Sequence, residues 1–364
     1  MNFSRPFFNT WKYCDIILPM SLALYRKYRP EKWGDVLGQD HIIDVLKNAV
    51  KEGNISHAYL FAGTRGTGKT TIARILAHEI SCSVNDLQEI DAASNRGIDD
   101  IRELREAVRV LPLESPYKVY IIDEVHMLTK EAFNALLKTL EEPPKHAIFM
   151  LATTEIQKLP DTIVSRCQTF TFKKPSHEVL KKLALDTAKK EGFIVEKESA
   201  DLIAMLGDGS FRDTLGVVQK TISASSDKEI SREEVERVLG APSARLVNDL
   251  IKGIAQKDSE KALGAIHTAA EYNVDMIVYT KLILRKLRAV LLMRFAKHLQ
   301  PVLKGDFPEE DFTFLEELAK DKDAHINSEV LKEFLDAYTK IGNSYLPHLP
   351  IELAVIGLCD RFKK

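Results

Sequence analysis

Residues 57–70 carry the feature that most limits what this chain can fold into. Ala58 to Ala62 is an apolar run of strand length. Gly63-Thr64-Arg65-Gly66-Thr67-Gly68-Lys69-Thr70 then fits G-x-x-x-x-G-K-[ST] without a mismatch, and Thr71 to Ala77 continues with helical spacing. Strand, glycine loop and helix thus stand in the order a phosphate-binding loop requires. Glycines let backbone N–H groups turn inward on a phosphate, and the following helix adds the positive end of its dipole. In that geometry Gly63 through Thr71 hold a nucleotide, Lys69 reaches its β- and γ-phosphates, and Thr70 ligates Mg²⁺. A chance glycine-rich turn would not bring both flanking elements with it.

Downstream, Val119-Tyr120-Ile121-Ile122 leads into Asp123 and Glu124. This reads as a buried parallel strand with two carboxylates at its C-terminal edge, where open α/β sheets bind ligands. Asp123 is expected to hold the Mg²⁺ water shell opposite Thr70, and Glu124 to orient the water that attacks the γ-phosphate. His126 reads as a packing or capping residue rather than a catalytic one. Between loop and carboxylates lie a short strand, Gln88 to Asp91, and a turn-rich loop, Ala92 to Gly97. A helix with a buried stripe at Ile98, Ile101, Leu104 and Val108 follows. A further helix, with Phe133, Leu136, Leu137 and Leu140 on one face, is ended by Pro143-Pro144. Ile148 to Ala152 is another buried strand, closed by Thr153-Thr154, and a hydroxyl at that strand end can sense the γ-phosphate or the attacking water. Arg166, before a last strand at Thr169 to Phe172, is either a salt-bridged surface residue or an arginine finger; spacing alone does not choose.

Before the loop, Tyr25 to Gln39 contains Pro30, which disfavours helix at Arg29. Tyr28, Trp33 and Val36 can wall an adenine pocket, or the arm can simply dock. Asp40 is expected to cap a helix to Glu52, with Ile43, Leu46 and Val50 on its buried face. Residues 1–19 are aromatic-rich and without period, and lack the apolar core and cleavage site of a signal peptide. The expectation is a start at Met20, or a disordered tail.

From Pro175 strands are expected to stop. Residues 176–239 read as a small helical unit in which Ser210 caps a helix, with Asp213 three residues on. Arg212 then lies in a first turn, unfavourable for a cation unless an outside anion such as a γ-phosphate offsets it. Residues 240–364 again read as helical, with an apolar stripe at Ile277, Leu284, Leu287 and Leu291 interleaved with Lys281, Arg285, Lys286 and Arg288. The segment Pro347 to Leu358 is apolar enough to fill a core and to pack on sister subunits.

Hydrophobic residues at 45% and charged residues at 29% suit a globular chain with two or three cores. A net charge of −2 excludes a uniformly basic nucleic-acid binder while leaving room for a local basic surface. Cys14, Cys82, Cys167 and Cys359 make no C-x-x-C pair, as expected for reduced thiols in a cytoplasmic protein. No stretch reaches transmembrane length.

Taken together, these motifs make the chain resemble the bacterial DNA polymerase III gamma/tau clamp-loader ATPases of the AAA+ superfamily. The resemblance rests on Tyr28-Arg29-Pro30, the phosphate loop, Glu89 to Ser94, Asp123 to His126, Phe133 to Pro144, Leu151 to Thr154, Ser165-Arg166-Cys167 and Gly209 to Asp213. It implies a doubly wound parallel sheet over residues 20–175, a helical lid over 176–239 and an all-α collar over 240–364. It also implies that Tyr28, Arg29, Pro30 and Val36 help bind ATP. Thr154 matches sensor 1, Arg212 sensor 2, and Arg166 the finger that serves a neighbouring subunit's ATP. The implied activity is DNA- and clamp-stimulated ATP hydrolysis with Mg²⁺, with polymerase activity only by membership of the holoenzyme. Implied partners are delta- and delta-prime-like subunits, further copies of the chain, the sliding clamp and primer–template DNA, with no membrane. Arg96 and Lys138 are candidate DNA contacts through phosphates; for Arg96 a solvated loop residue is the equal alternative. The family usually inserts a four-cysteine zinc module after the first loop helix. Here only Cys82 remains, and Ser83 to Leu87 bridges onward, so no zinc is expected. The chain resembles the short gamma-type form.

Rival classes are a branch-migration motor, a non-hydrolysing delta-prime-like subunit and a polymerase. The collar-like C-terminal third, the intact loop and the lack of a polymerase carboxylate set argue against them in turn.

Overall fold

A computed structural model describes residues 22–95 and 97–363. The expectations for residues 1–19 and for Arg96 lie outside the described residues.

Five parallel strands form one sheet: β1 (Ala58–Ala62), β2 (Leu87–Asp91), β3 (Lys118–Asp123), β4 (Ala147–Thr153) and β5 (Gln168–Thr171), in the order β2-β3-β4-β1-β5. Every residue of β1 and β4 is buried, as for strands covered on both faces. Alternation along each strand divides the side chains between two cores. Tyr59, Phe61, Val119, Ile121 and Met150 pack with Ile42 and Leu46 of helix Asp40–Glu52 and with Ile72 and Leu76 of helix Lys69–Glu79. Leu60, Tyr120, Ile122 and Leu151 face Ile101 and Leu104 of helix Ile98–Val108 and Phe133 and Leu136 of helix Lys130–Glu141. Parallel pairing brings the C-terminal ends of β1, β3 and β4 to one edge, with Ala62 beside Thr153.

Three expectations need correction here. Asp40 is the first residue of its helix and not its cap; Gln39 precedes it and spends its side-chain amide on the backbone of Lys173, at 2.8 and 3.2 Å. Trp33 is buried in the core against the sheet and does not line the cleft described below. Strands also do not stop at Pro175. Residues Ile194–Val195 (β6) and Glu229–Ile230 (β7) pair in parallel and join the connections between helices His177–Lys190, Lys197–Leu206, Phe211–Ala224 and Arg232–Leu239. A two-residue bridge has no periodicity for a sequence reading to detect.

The remaining helices surround Met276–Phe295. Its expected stripe is also corrected: Ile277 is 40% exposed, whereas Leu287 is buried along with Tyr279, Ile283, Val290 and Met293. Helices Ala244–Ala255, Glu309–Lys320 and Ser328–Ile341 cover it on several sides, so no single stripe describes it. Lys286, one of the cations interleaved with that stripe, is buried with Nζ 2.6 Å from Asp311 Oδ1 and 2.8 Å from Asn248 Oδ1. No described helix is long and apolar enough to cross a membrane.

A nucleotide-sized cleft at the sheet edge

The phosphate loop is held by contacts that leave no room for side chains at two glycines. A Cβ on Gly63 would sit 2.7 Å from Cβ of Phe172, and one on Gly66 (φ +73°) would sit 1.9 Å from Ser210 Oγ. The Gly66 carbonyl accepts the backbone N–H of Phe211 at 2.9 Å, so the loop is tied to the start of helix Phe211–Ala224. Ser210 caps that helix as expected, accepting from the Asp213 N–H at 3.1 Å. Thr67 Oγ1 donates to the Thr64 carbonyl at 2.8 Å, bracing the loop from inside. Lys69 is 5% exposed and donates to the carbonyls of Gly63 and Thr64 at 2.8 and 3.0 Å. Burial pushes its pKa down, and the carboxylates of Glu124 and Asp123 oppose that.

The Thr70 hydroxyl donates to Asp123 Oδ2 at 2.7 Å, joining the helix after β1 to the end of β3. Two adjacent hard oxygens suit Mg²⁺, which retains several waters and takes phosphate oxygens as further ligands. Among the described residues no three His, Cys, Asp or Glu side chains converge on a metal position. Glu124 adopts a left-handed backbone, φ +49°. Its Oε2 accepts from the Thr154 hydroxyl at 3.0 Å and from the Thr154 N–H at 3.3 Å. Thr154 therefore reaches the cleft through Glu124.

One open cleft of about 980 Å³, its mouth included, is lined by Tyr28, Arg29, Pro30, Val36, residues 65–71, Asp123, Glu124 and Arg212. The arm residues, the loop, the acidic pair and the first-turn arginine, far apart in sequence, thus meet as expected. Gly63 and Thr64 form the loop's stem, contributing carbonyls to Lys69. The arm both docks and lines: Leu24 is buried against the helical unit, while Tyr28 and Lys27 hydrogen-bond Glu191. Burial lowers the Arg29 pKa, and the nearby cations of Arg74 and Arg212 add to this. Among the described residues neither Arg29 nor Arg212 forms an ion pair; Arg212 lies 5.7 Å from the ring centroid of Tyr25. Lys69, Arg29 and Arg212 make the cleft an anion site.

Phe211, inside the Gly209 to Asp213 motif, also lines it, as do Tyr25, Asp35, Leu37, Leu183 and Leu215, which were given no role from the sequence. Tyr25 stands close to the Tyr28-Arg29-Pro30 motif, which was the available signal; Leu183 and Leu215 look like ordinary helix-face leucines.

Two expected residues lie elsewhere. Arg166 is not part of the cleft; it donates to Glu141 Oε1 at 2.6 Å and to the Thr162 carbonyl at 2.8 Å. Lys138 is exposed on helix Lys130–Glu141. His126 is packed as expected, its side chain 6% exposed, beside Glu124, Thr153 and Glu155.

With this geometry in place, two family models match: DNA polymerase III, delta subunit, over residues 38–97 and 83–176, and DNA polymerase III subunits gamma and tau domain III, over 230–363. The DNA polymerase III subunit tau of Bacillus subtilis (strain 168) is 38% identical over 363 residues, covering 93% of this chain and 63% of that protein. The subunit tau of Escherichia coli (strain K12) is 39% identical over 274 residues, covering 70% and 42%. The chain therefore spans less than two thirds of the length of these relatives. Among solved structures, the Thermotoga maritima RuvB Holliday junction branch migration motor shares the fold, with a TM-score of 0.51 at 22% identity over 63% of this chain and 80% of that one. A doubly wound AAA+ sheet followed by helices is thus matched in shape, and sequence relatives run through both the sheet and the C-terminal helices: the chain belongs to the DNA polymerase III gamma/tau family.

Proposed function

We propose that this chain is an ATP-hydrolysing motor subunit of a replicative clamp loader, which opens a sliding clamp and loads it onto primer–template DNA. The observation that carries the reading is the Thr70–Asp123 contact at 2.7 Å, set beside the buried Lys69 in a cleft where, among the described residues, Arg29, Arg65 and Arg212 form no ion pair. Its partners in this reading are delta- and delta-prime-like subunits, further copies of itself, the clamp and DNA, in the cytoplasm. Residues 20–175 would be the ATPase unit, 176–239 the lid and 240–364 the collar.

The chain's residues supply the chemistry in stages. Lys69 exchanges its two loop carbonyls for the β- and γ-phosphates, which satisfy the same charge better. Mg²⁺, when bound by Thr70 and through water by Asp123, neutralises charge developing on the phosphates. Glu124 orients the attacking water, and Thr154 holds Glu124 in place. Arg212 stands in the first turn of the lid helix that is bonded to Gly66, so a γ-phosphate contact would join lid to loop; hydrolysis removes it. Arg166 acts on the ATP of a neighbouring subunit. Lys138, and Arg96 if it reaches the same surface, would meet DNA phosphates without reading sequence.

The test is the ATPase rate of the assembled complex with and without primer–template DNA and the cognate clamp. DNA plus clamp should raise the rate, and Lys69→Ala should lower it by about 100-fold or more. Hydrolysis indifferent to both DNA and clamp would reject the clamp-loader assignment, and Lys69→Ala hydrolysing normally would reject the site.

A further inference from the structure

His126 has a packing role by burial, but its two ring nitrogens are both engaged. Nδ1 lies 3.0 Å from Thr153 Oγ1 and 3.5 Å from Glu124 Oε2; Nε2 lies 3.4 Å from Glu155 Oε1. The tautomer follows from the Thr153 hydroxyl. Its oxygen already accepts the backbone N–H of Glu155 at 3.0 Å. Thr153 is fully buried, so its hydrogen needs an acceptor, and an unpaired buried donor costs about 1–3 kcal/mol. Among the described contacts the remaining partner is His126 Nδ1. Nδ1 is therefore the lone-pair nitrogen, and the ring hydrogen sits on Nε2, aimed at the Glu155 carboxylate. The opposite tautomer would strand the Thr153 hydrogen and set a lone pair against that carboxylate. Both penalties favour the same assignment.

We propose that His126, in this Nε2–H form, is a positioning residue for ATP hydrolysis. It clasps the turn at the end of β4 from two sides, accepting from Thr153 and donating to Glu155. Thr154 lies between them and points both its donors at Glu124. The bare Nδ1 offers Glu124 no hydrogen bond, so the carboxylate stays on Thr154 and does not tip toward the ring. The proposal rests on the reading of Glu124 as the residue that orients the attacking water.

Two measurements on the full chain test it. With ¹⁵N-labelled histidine, the His126 ring, identified by its loss in His126→Phe, should show an unprotonated Nδ1 and a protonated Nε2. The reverse pattern overturns the proposal, and this readout needs no hydrolysis. In the assembled complex with clamp and DNA, His126→Phe keeps the volume but loses both contacts. It should lower kcat by about 10- to 100-fold while the KM for ATP stays within about twofold. His126→Asn, whose Oδ1 stands near the place of Nδ1, should recover part of that loss. An unchanged kcat in His126→Phe, a KM that rises in step with the loss, or an Asn variant no better than Phe would overturn it. Wild-type chain that binds ATP without hydrolysing it sinks the functional reading itself; wild-type hydrolysis unaltered by His126→Phe sinks only this one.

Discussion

Asp86 is almost fully buried, and three successive backbone N–H groups are aimed at its carboxylate. Leu113 donates at 2.6 Å, Glu114 and Ser115 at 2.9 Å, and Ser83 Oγ adds a fourth contact at 3.2 Å. The residue thereby fastens the segment before β3 to the short bridge Ser83 to Leu87, where the family's cysteine module would otherwise depart. Burial alone would push this carboxyl up, but the N–H donors outweigh it and hold its pKa well below the usual carboxylate range. An unfolded aspartate titrates near about 3.9. Between that value and the lower folded one, the unfolded state binds the extra proton, so the stabilisation is complete above about pH 4 and is lost as pH falls further. The thermal midpoint of wild type should therefore fall more steeply below about pH 4 than that of Asp86→Asn, and should be the higher of the two at pH 7. Parallel pH profiles would exclude Asp86 as a source of acid sensitivity. Nothing in the sequence marked this residue, because three of its four donors are backbone groups 27 to 29 positions away, which side-chain patterns do not encode.

At the scale of elements, legibility followed distance along the chain. The strand, loop and helix from Ala58 to Ala77 were readable because each signal is local. The Asp123 placement was readable because a buried parallel strand delivers its C-terminal residues to the ligand edge whatever the register. Trp33 failed because an aromatic residue beside an arm fits a pocket wall and a core equally well, and only packing decides. The burial of Lys286 was not legible because a lysine on a helix is mostly exposed, and its partners Asp311 and Asn248 come from other helices. Most informative is the joint between the loop and helix Phe211–Ala224, which neither motif announces. Gly66 meets both the Ser210 side chain and the Phe211 N–H. Gly66→Ala would force a methyl into Ser210 and strain a φ of +73°, prising the helix start from the loop. Nucleotide affinity, measured with a fluorescent ATP analogue, should fall by about tenfold or more. Unaltered affinity would mean that the joint does not help bind nucleotide.

For the whole molecule, the cleft gathers the lysine, the arm, the acidic pair and Arg212, yet leaves Arg166 on another surface, paired with Glu141. That pair is partly exposed, so it contributes little to stability and is readily exchanged for another anion. Helix Leu349–Lys363 leaves Leu349, Leu353 and Ile356 at 36, 59 and 43% exposure, an i, i+4, i+7 face suited to packing against another subunit. If Arg166 and this helix face both serve a neighbouring subunit, as proposed, neither contact has a counterpart within the chain's own sequence spacing. The composite-site reading makes a demand that a cis reading does not. Lys69→Ala removes a subunit's own pocket but keeps its Arg166; Arg166→Ala keeps the pocket but removes the finger. Each variant alone should assemble with clamp and DNA and hydrolyse ATP at about 1% of the wild-type rate or less. Mixed before assembly, the two should recover a substantial part of it, because a Lys69→Ala subunit can lend its arginine to an Arg166→Ala neighbour. Were Arg166 to act in its own subunit, or only to brace Glu141, no mixing ratio would exceed the sum of the separate rates. Recovery dependent on the order of subunits, tested with linked copies, would further identify which neighbour receives the arginine.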